Sequence, residues 1–598
     1  DQGLPANINT DSNAITDWIT PSNSTGFLDA DYTAGVSSSF GSPRIYYSRQ
    51  SGTWSTLSTW SLTSHTVNNP PPAAPGINDI VIIGNGHMVT FGTPPNYLST
   101  ANTDQHYCAS LQIEEGATLD IRYNPGSNFG MVVSHPGGNG NFRLTTSNAS
   151  GSTFAFPGGD FSDFNTNRGT TEFYTTNANS GAIFYLPSTP ASYGTVIMSP
   201  LGGSNIAFPN IPEMTILGDL ITRGQDWRSW LAMTWMSGYG TIVEKTINVK
   251  GNLNLEGGTF IYVSNGSTSQ NIIIDGDVNV FPGAGIDIYG TSYANNMSIG
   301  GSLINNSNDD RTYSLSGNAG SNVRFYVSST RRCDVTFFGS DTAYITNTGL
   351  TPATGSTPNT IFGNLTIDKG ISIESVLICN IGGSLTTRND NWLTLLNGTF
   401  KYDRTGSFYI SQETDFFIPA TAGLTINTPS NVYISNNNAS ETLSLNGKLT
   451  ILDGGGNVYI GPVGNTVNNA DIEYSGSGAS TIEVQGGNLY VNGQIRRPLA
   501  STNGVLNYSQ SGGNVIIYGN NPTASNLIKA KLEVLNNGSA FSMSGGILTI
   551  ARGGGTTFGD LYLRPSVSSV TGGTIVFSQA PVSGTTIDSD QSFKLDAN

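Results

Sequence analysis

The chain has 598 residues, of which 74 are Gly and only 11% are charged. Lys plus Arg total 25 against 41 Asp plus Glu, and the resulting −16 is spread without an acidic tail, which disfavours DNA, RNA or anionic lipid as partners. The 37% apolar content supports a folded core, while the glycine excess and low charge disfavour coiled coils and charge-driven disorder, so one elongated repeat array suits the length best.

Residues 1–45 carry Pro, Ser, Asn and Asp without sustained periodicity and read as an N-terminal cap or arm. A cap is physically needed, because an open coil exposes unpaired backbone groups that recruit another chain. No apolar run reaches the ~18 residues of a membrane-spanning helix. Asp1-Gln2-Gly3 lacks the basic and apolar regions of a signal peptide, so an exported form is expected to have lost its leader.

Residues 46–200 read as a Trp- and Gly-rich β-helical module. The four histidines, His65, His87, His106 and His135, all fall there, and none forms HExxH or neighbours another in sequence. Each reads as solvated or hydrogen-bonded, with His87 beside the apolar run Ile80-Val81-Ile82-Ile83 the one worth inspection. Cys108, Cys333 and Cys379 are too far apart for a disulfide framework, and Cys333 shares strand parity with Val335 and Phe337 as a small buried hydrophobe would.

Residues 201–598 read as β-solenoid repeats with inserted loops. The phrases Ile247-x-Val249-x-Gly251-x-Leu253, Ile272-x-Ile274-x-Gly276-x-Val278 and Met297-x-Ile299-x-Gly301-x-Leu303 follow one another at a period of 25 residues. Alternation within each phrase marks extended chain, and the period marks one coil of several short strands. Stacked coils then place Leu253, Val278 and Leu303 in one interior ladder. A longer echo links Gly218-Asp219-Leu220 … Trp227 with Gly383-Ser384-Leu385 … Trp392 and suggests a duplicated block of coils. The expected fold is all-β: a right-handed parallel β-helix, or β-solenoid, with an N-terminal cap.

The order Trp54, Trp60, Pro75-Gly76, Asp79-x-Val81-x-Ile83, Gly86, Val89 resembles the opening of glycine-rich β-helical modules in large exported surface proteins of Bacteroidota. Phe362-Gly363-Asn364-Leu365-Thr366-Ile367 and Gly251-Asn252-Leu253-Asn254-Leu255 are similar to the repeat phrase of the same proteins. That resemblance implies an extracellular, outer-membrane-associated solenoid of the kind found in type IX secreted, gliding-motility adhesins. It implies secretion or outer-membrane machinery as a partner.

Aromatics offer the most plausible binding surface, since Trp and Tyr stack on sugar rings. Trp227, Trp230, Trp235 and Tyr239 are the candidate ligand-binding residues, on an inserted loop; Leu231 and Met233 alternate with them as core residues would. The carboxylate pairs Asp275/Asp277, Asp309/Asp310 and Asp588/Asp590 are explained by turn chemistry, and no catalytic residue is assigned. Asp275 and Asp277 are the best candidates for a metal, with calcium the ion considered; no other cofactor is expected. The expected function is a cell-surface adhesin or structural stalk binding surface polysaccharide or another substratum, an enzyme being the less favoured reading. The alternatives are a polysaccharide lyase or hydrolase on the same scaffold, for which three or more charged side chains lining one coil face would speak, and end-to-end self-association into a filament.

Overall fold

The computed structural model describes residues 7–9, 14–17, 43–92, 105–134, 140–147, 149–176, 181–225, 229–233, 242–264, 268–290, 294–307, 323–347, 359–382, 384–387, 390–434, 441–462, 470–476, 478–519, 529–551, 560–578, 593 and 595–597. Trp227, Trp235, Tyr239, His135 and the aspartates 309, 310, 588 and 590 lie outside them, as does most of the expected cap. The fold is a parallel β-solenoid, with a single short α-helix, Ser162–Thr166, among the described residues. It divides into two compact units, residues 1–174 with 193–196, and residues 175–192 with 197–598.

In the first unit the strands Ile45–Ser48, Ile80–Ile83, Ser110–Ile113 and Asn128–Ser134 pair in parallel on one face, and Met88–Thr90, Thr118–Arg122, Asn141–Leu144 and Thr170–Tyr174 on another. The interior is aromatic. Trp54 and Trp60 are fully buried with ring centroids 5.3 Å apart, and the Trp60 indole N–H donates to the Trp54 carbonyl at 2.7 Å. Each buried indole has its polar atom satisfied, as burial of a tryptophan requires: Trp54 Nε1 donates to the Pro75 carbonyl.

The second unit carries the regular repeat. Lys245–Val249, Gln270–Ile274 and Ala294–Ile299 pair in parallel, with Ile247 opposite Ile272 and Ile272 opposite Met297. On the next face Leu253 lies opposite Val278 and Val278 opposite Leu303, all with no exposed surface. Each such side chain is removed from water by its own coil and the coils above and below, worth about 1.5–3 kcal/mol apiece.

The glycine in each phrase has a local cause. At the turn after the first strand, the Asn252 N–H donates to Asp219 Oδ1 (2.7 Å), the Asp277 N–H to Asn252 Oδ1 (2.8 Å) and the Ser302 N–H to Asp277 Oδ1 (2.6 Å). Each polar side chain thus reaches one coil onward, into the space where the next glycine would carry a Cβ. A Cβ at Gly276 would collide with Asn252 Oδ1 and the carbonyl of Gly251. The Gly-Asx-apolar phrase is therefore one turn that repeats because it stacks.

The 165-residue echo does not extend to packing. Leu220 is fully buried opposite Leu253, whereas Leu385 is half-exposed opposite Thr360.

Candidate functional site

Trp230 stands on the strand Trp230–Ala232 and is half-buried against Ile183, Tyr185, Ala207, Ala232 and Ile261. Its ring is thus engaged in packing. Asp275 and Asp277 turn to different partners: Asp275 pairs with Lys250 at 3.1 Å on the surface, and Asp277 accepts the Ser302 N–H. No three Asp, Glu, His or Cys side chains among the described residues are placed to hold a metal between them. All three cysteines are free and buried; burial pushes the Cys379 thiol up to about 12 and Cys108 and Cys333 higher still, so all three stay protonated and inert.

Three constellations invisible in the sequence form in the fold. In the first unit, His65 and His87 come within 6.0 Å, ring to ring, around Ser48. The Gly84 N–H donates to Ser48 Oγ at 2.8 Å, and His87 Nδ1 also lies 2.8 Å from that oxygen, the donor of this second bond being set by the histidine tautomer. This is the pairing of a nucleophile with its base. Ser48 has no exposed surface, however, and its other hydrogen bonds knit two coils, which fits a structural knot.

The second constellation is a charge ladder on adjacent strands of the first unit. Arg143 Nε meets Glu172 at 2.6 Å and its Nη1 meets Asp120 at 3.4 Å, while the Tyr174 hydroxyl donates to Asp120 at 2.9 Å. The guanidinium also lies over the Tyr174 ring, 4.8 Å from its centre. Burial pushes the Asp120 carboxyl up and Arg143 pulls it back. The third is a buried charged face in the second unit, where Arg496 bonds Asp471 at 2.6 Å and Glu473 at 2.7 Å, and Arg497 bonds Glu533 at 3.2 Å. Asp471 is lifted to about 6 by burial, against Arg496 and the Gln494 N–H. In both sets the ions answer one another across coils. A base or acid committed to a guanidinium in this way is poorly placed to exchange protons with a substrate.

The most accessible constellation is aromatic. In Phe408–Ser411, Asn431–Ile434, Asn457–Ile460 and Asn488–Val491 the in-register residues Tyr409, Tyr433, Tyr459 and Tyr490 lie on the outer face of successive coils. Their rings stack at 4.8, 5.1 and 5.0 Å with interplanar angles of 19°, 14° and 15°. Tyr409 is 37% exposed and the others are half-buried. Beside them Asn431, Asn457, Asn488 and Asn514 pass amide hydrogen bonds along the axis at 2.9, 2.8 and 2.7 Å. Period 2 produces this double row, since Asn and Tyr two apart share a face while Val432, Val458 and Leu489 between them fill the interior. The stripe is a linear array of apolar ring edges flanked by amides, repeating once per coil. Sequence reasoning passed over it for the tryptophan segment, although the phrases Asn-Val-Tyr-Ile, Asn-Val-Tyr-Ile and Asn-Leu-Tyr-Val at 431, 457 and 488 spell it out.

No protein-family model, curated protein or solved structure matches the chain. No helix among the described residues is long and apolar enough to cross a membrane.

Proposed function

We propose that this protein is a surface-display solenoid, an adhesin or stalk, that binds an extended polysaccharide along the tyrosine stripe of its second unit. The observation carrying this reading is the run of four stacked, partly exposed tyrosines at coil spacing beside an asparagine row. Rigid aromatic edges and amides give large contact at low conformational cost, and a repeating polymer engages successive coils so that weak contacts add as effective concentration. Low overall charge suits an uncharged partner. An extracellular location and a secretion or outer-membrane partner rest on the resemblance to exported surface proteins.

The polysaccharide lyase or hydrolase reading has two footholds, the Asp120–Arg143–Glu172 ladder with Tyr174 and the Asp471–Arg496–Glu473 set, each of which places three charged side chains together. One experiment separates the two: binding to a glycan array and to insoluble polysaccharides, with assays for reducing and unsaturated products, for the wild type and Tyr433→Ala/Tyr459→Ala. Binding without product, weakened tenfold or more in the folded double variant, supports the adhesin. Product formation, or unchanged binding by that variant, overturns it.

A further inference from the structure

The tyrosine stripe carries a covalent chemistry of its own. Tyr409, Tyr433, Tyr459 and Tyr490 occupy in-register positions of successive parallel strands, so hydrogen-bonded backbone fixes each phenol beside the next. Neighbouring rings are nearly parallel, at 19°, 14° and 15°, with centroids 4.8, 5.1 and 5.0 Å apart. The asparagine row holds the same coils together, and Asn431 Nδ2 donates to the Tyr433 hydroxyl at 3.1 Å.

Stacking alone does not set the stripe apart. Tyr402 stacks on Phe408 with centroids 4.7 Å apart, and Tyr508 on Phe541 at 5.3 Å. Those two tyrosines are buried, and each partner is a phenylalanine, with no hydroxyl to oxidise. The stripe instead sets phenol against phenol on every coil, and all four rings reach solvent: Tyr409 is exposed and the others are half-buried.

We propose that the stripe is a site of oxidative cross-linking, at which neighbouring tyrosines join as dityrosine and tie consecutive coils covalently. The oxidant is of the one-electron class, a haem peroxidase turning over hydrogen peroxide. Each of two neighbouring phenols gives up one electron and its hydroxyl proton, which leaves radicals with unpaired spin partly on the ring carbons ortho to oxygen. One carbon–carbon bond forms between two such carbons. The hydrogen on each of them then leaves as a proton and a proton returns to each oxygen, which restores both aromatic rings and both hydroxyls. In all, two electrons and two protons leave the pair, and one hydrogen peroxide takes them up to become two waters. Coupling within the chain outruns coupling between molecules, because groups held side by side react as though at very high concentration. Each link closes a loop of about one coil and so restricts the unfolded chain, which makes the solenoid harder to unfold along the stripe. The site stands independently of the polysaccharide reading.

The test treats the intact protein, in dilute solution, with a haem peroxidase and hydrogen peroxide. Beside the wild type runs Tyr433→Phe/Tyr490→Phe, which keeps four stacked rings and leaves no two neighbouring phenols in the row. In the wild type the expected result is dityrosine fluorescence, a mass lower by two hydrogens per link on a chain that still runs as a monomer, and a raised melting temperature. Its digest is expected to contain peptides joined through Tyr409 and Tyr433, Tyr433 and Tyr459, or Tyr459 and Tyr490. The variant is expected to lose tenfold or more of the fluorescence. Mapping the joined peptides of the wild type decides the matter by itself if the variant fails to fold. Absence of dityrosine in the wild type, links found only between molecules or at other tyrosines, or an undiminished yield in the folded variant overturns the proposal.

Discussion

The coils around residues 245–305 and those around 408–517 share one interior and differ in what they show to solvent. In the first set the outward positions beside the core strands carry Asn254 bonded to Asn279 and Asn271 bonded to Asn296, with no aromatic row among the described residues. In the second the same kind of asparagine ladder runs beside four stacked tyrosines. Interiors are constrained by stacking, since each buried side chain must match the ones above and below it. Exteriors need only satisfy hydrogen bonds, and the asparagine row alone does so. The tyrosines are therefore the element that coil stacking does not require, which is why function is sought there.

The largest effect expected from breaking this comparison is in the shared interior. Ile272→Ala removes a fully buried side chain held between Ile247 and Met297 and is expected to cost about 2–5 kcal/mol, with the smaller Val458→Ala below it. Guanidinium unfolding followed by fluorescence checks both, and a negligible loss at Ile272 would contradict the ladder. Next come the glycines. Gly276→Ala forces a Cβ against Asn252 Oδ1 and the Gly251 carbonyl and is expected to cost about 1–3 kcal/mol, whereas Gly478→Ala, with nothing within 4 Å of its Cβ, changes little.

Lys245 sharpens the comparison through pH. Its ammonium is buried without an acid, Nζ donating to the Met233 carbonyl at 2.7 Å, and burial lowers it to about 7. In the unfolded chain the lysine holds its proton up to about 10.4. Between these values the unfolded state binds more protons than the folded one, so stability rises with pH across roughly 7–10 and is flat in this respect below 7. The difference in unfolding free energy between wild type and Lys245→Met, measured across that range, should climb with pH. A flat difference would show that the folded lysine keeps its proton.

Much of this was legible in advance, for reasons particular residues make plain. Ile247, Ile272 and Met297 recur at a fixed period because coil length is constant there, so alternation and spacing alone place them in one ladder. Where loops enter, the spacing of in-register residues changes, as from Val458 to Leu489, and the pattern blurs. The tyrosine stripe was written in the chain but masked by attention to tryptophan, the stronger sugar-stacking residue in general. The Ser48–His87 contact, the Asp120–Arg143–Glu172 ladder and the Arg496–Asp471 pair were not legible. Their members lie on different coils, and the distance between them in sequence depends on loops of arbitrary length.

The smallest effects separate the two aspartates that sequence singled out for a metal. Asp277 is a link in the turn ladder, its Oδ1 receiving the Ser302 N–H at 2.6 Å, so Asp277→Ala strands a partly buried donor and is expected to cost about 1 kcal/mol. Asp275 meets Lys250 in solvent, where such a pair is worth little, and Asp275→Ala should stay within about 0.5 kcal/mol of wild type. Asp277→Asn keeps the acceptor oxygen and should recover most of the Asp277→Ala loss. A pair that instead shared an ion would lose stability together on either substitution, and asparagine would not restore it, so the ordering Asp277→Ala below Asp277→Asn near Asp275→Ala distinguishes a stacked turn from a metal site.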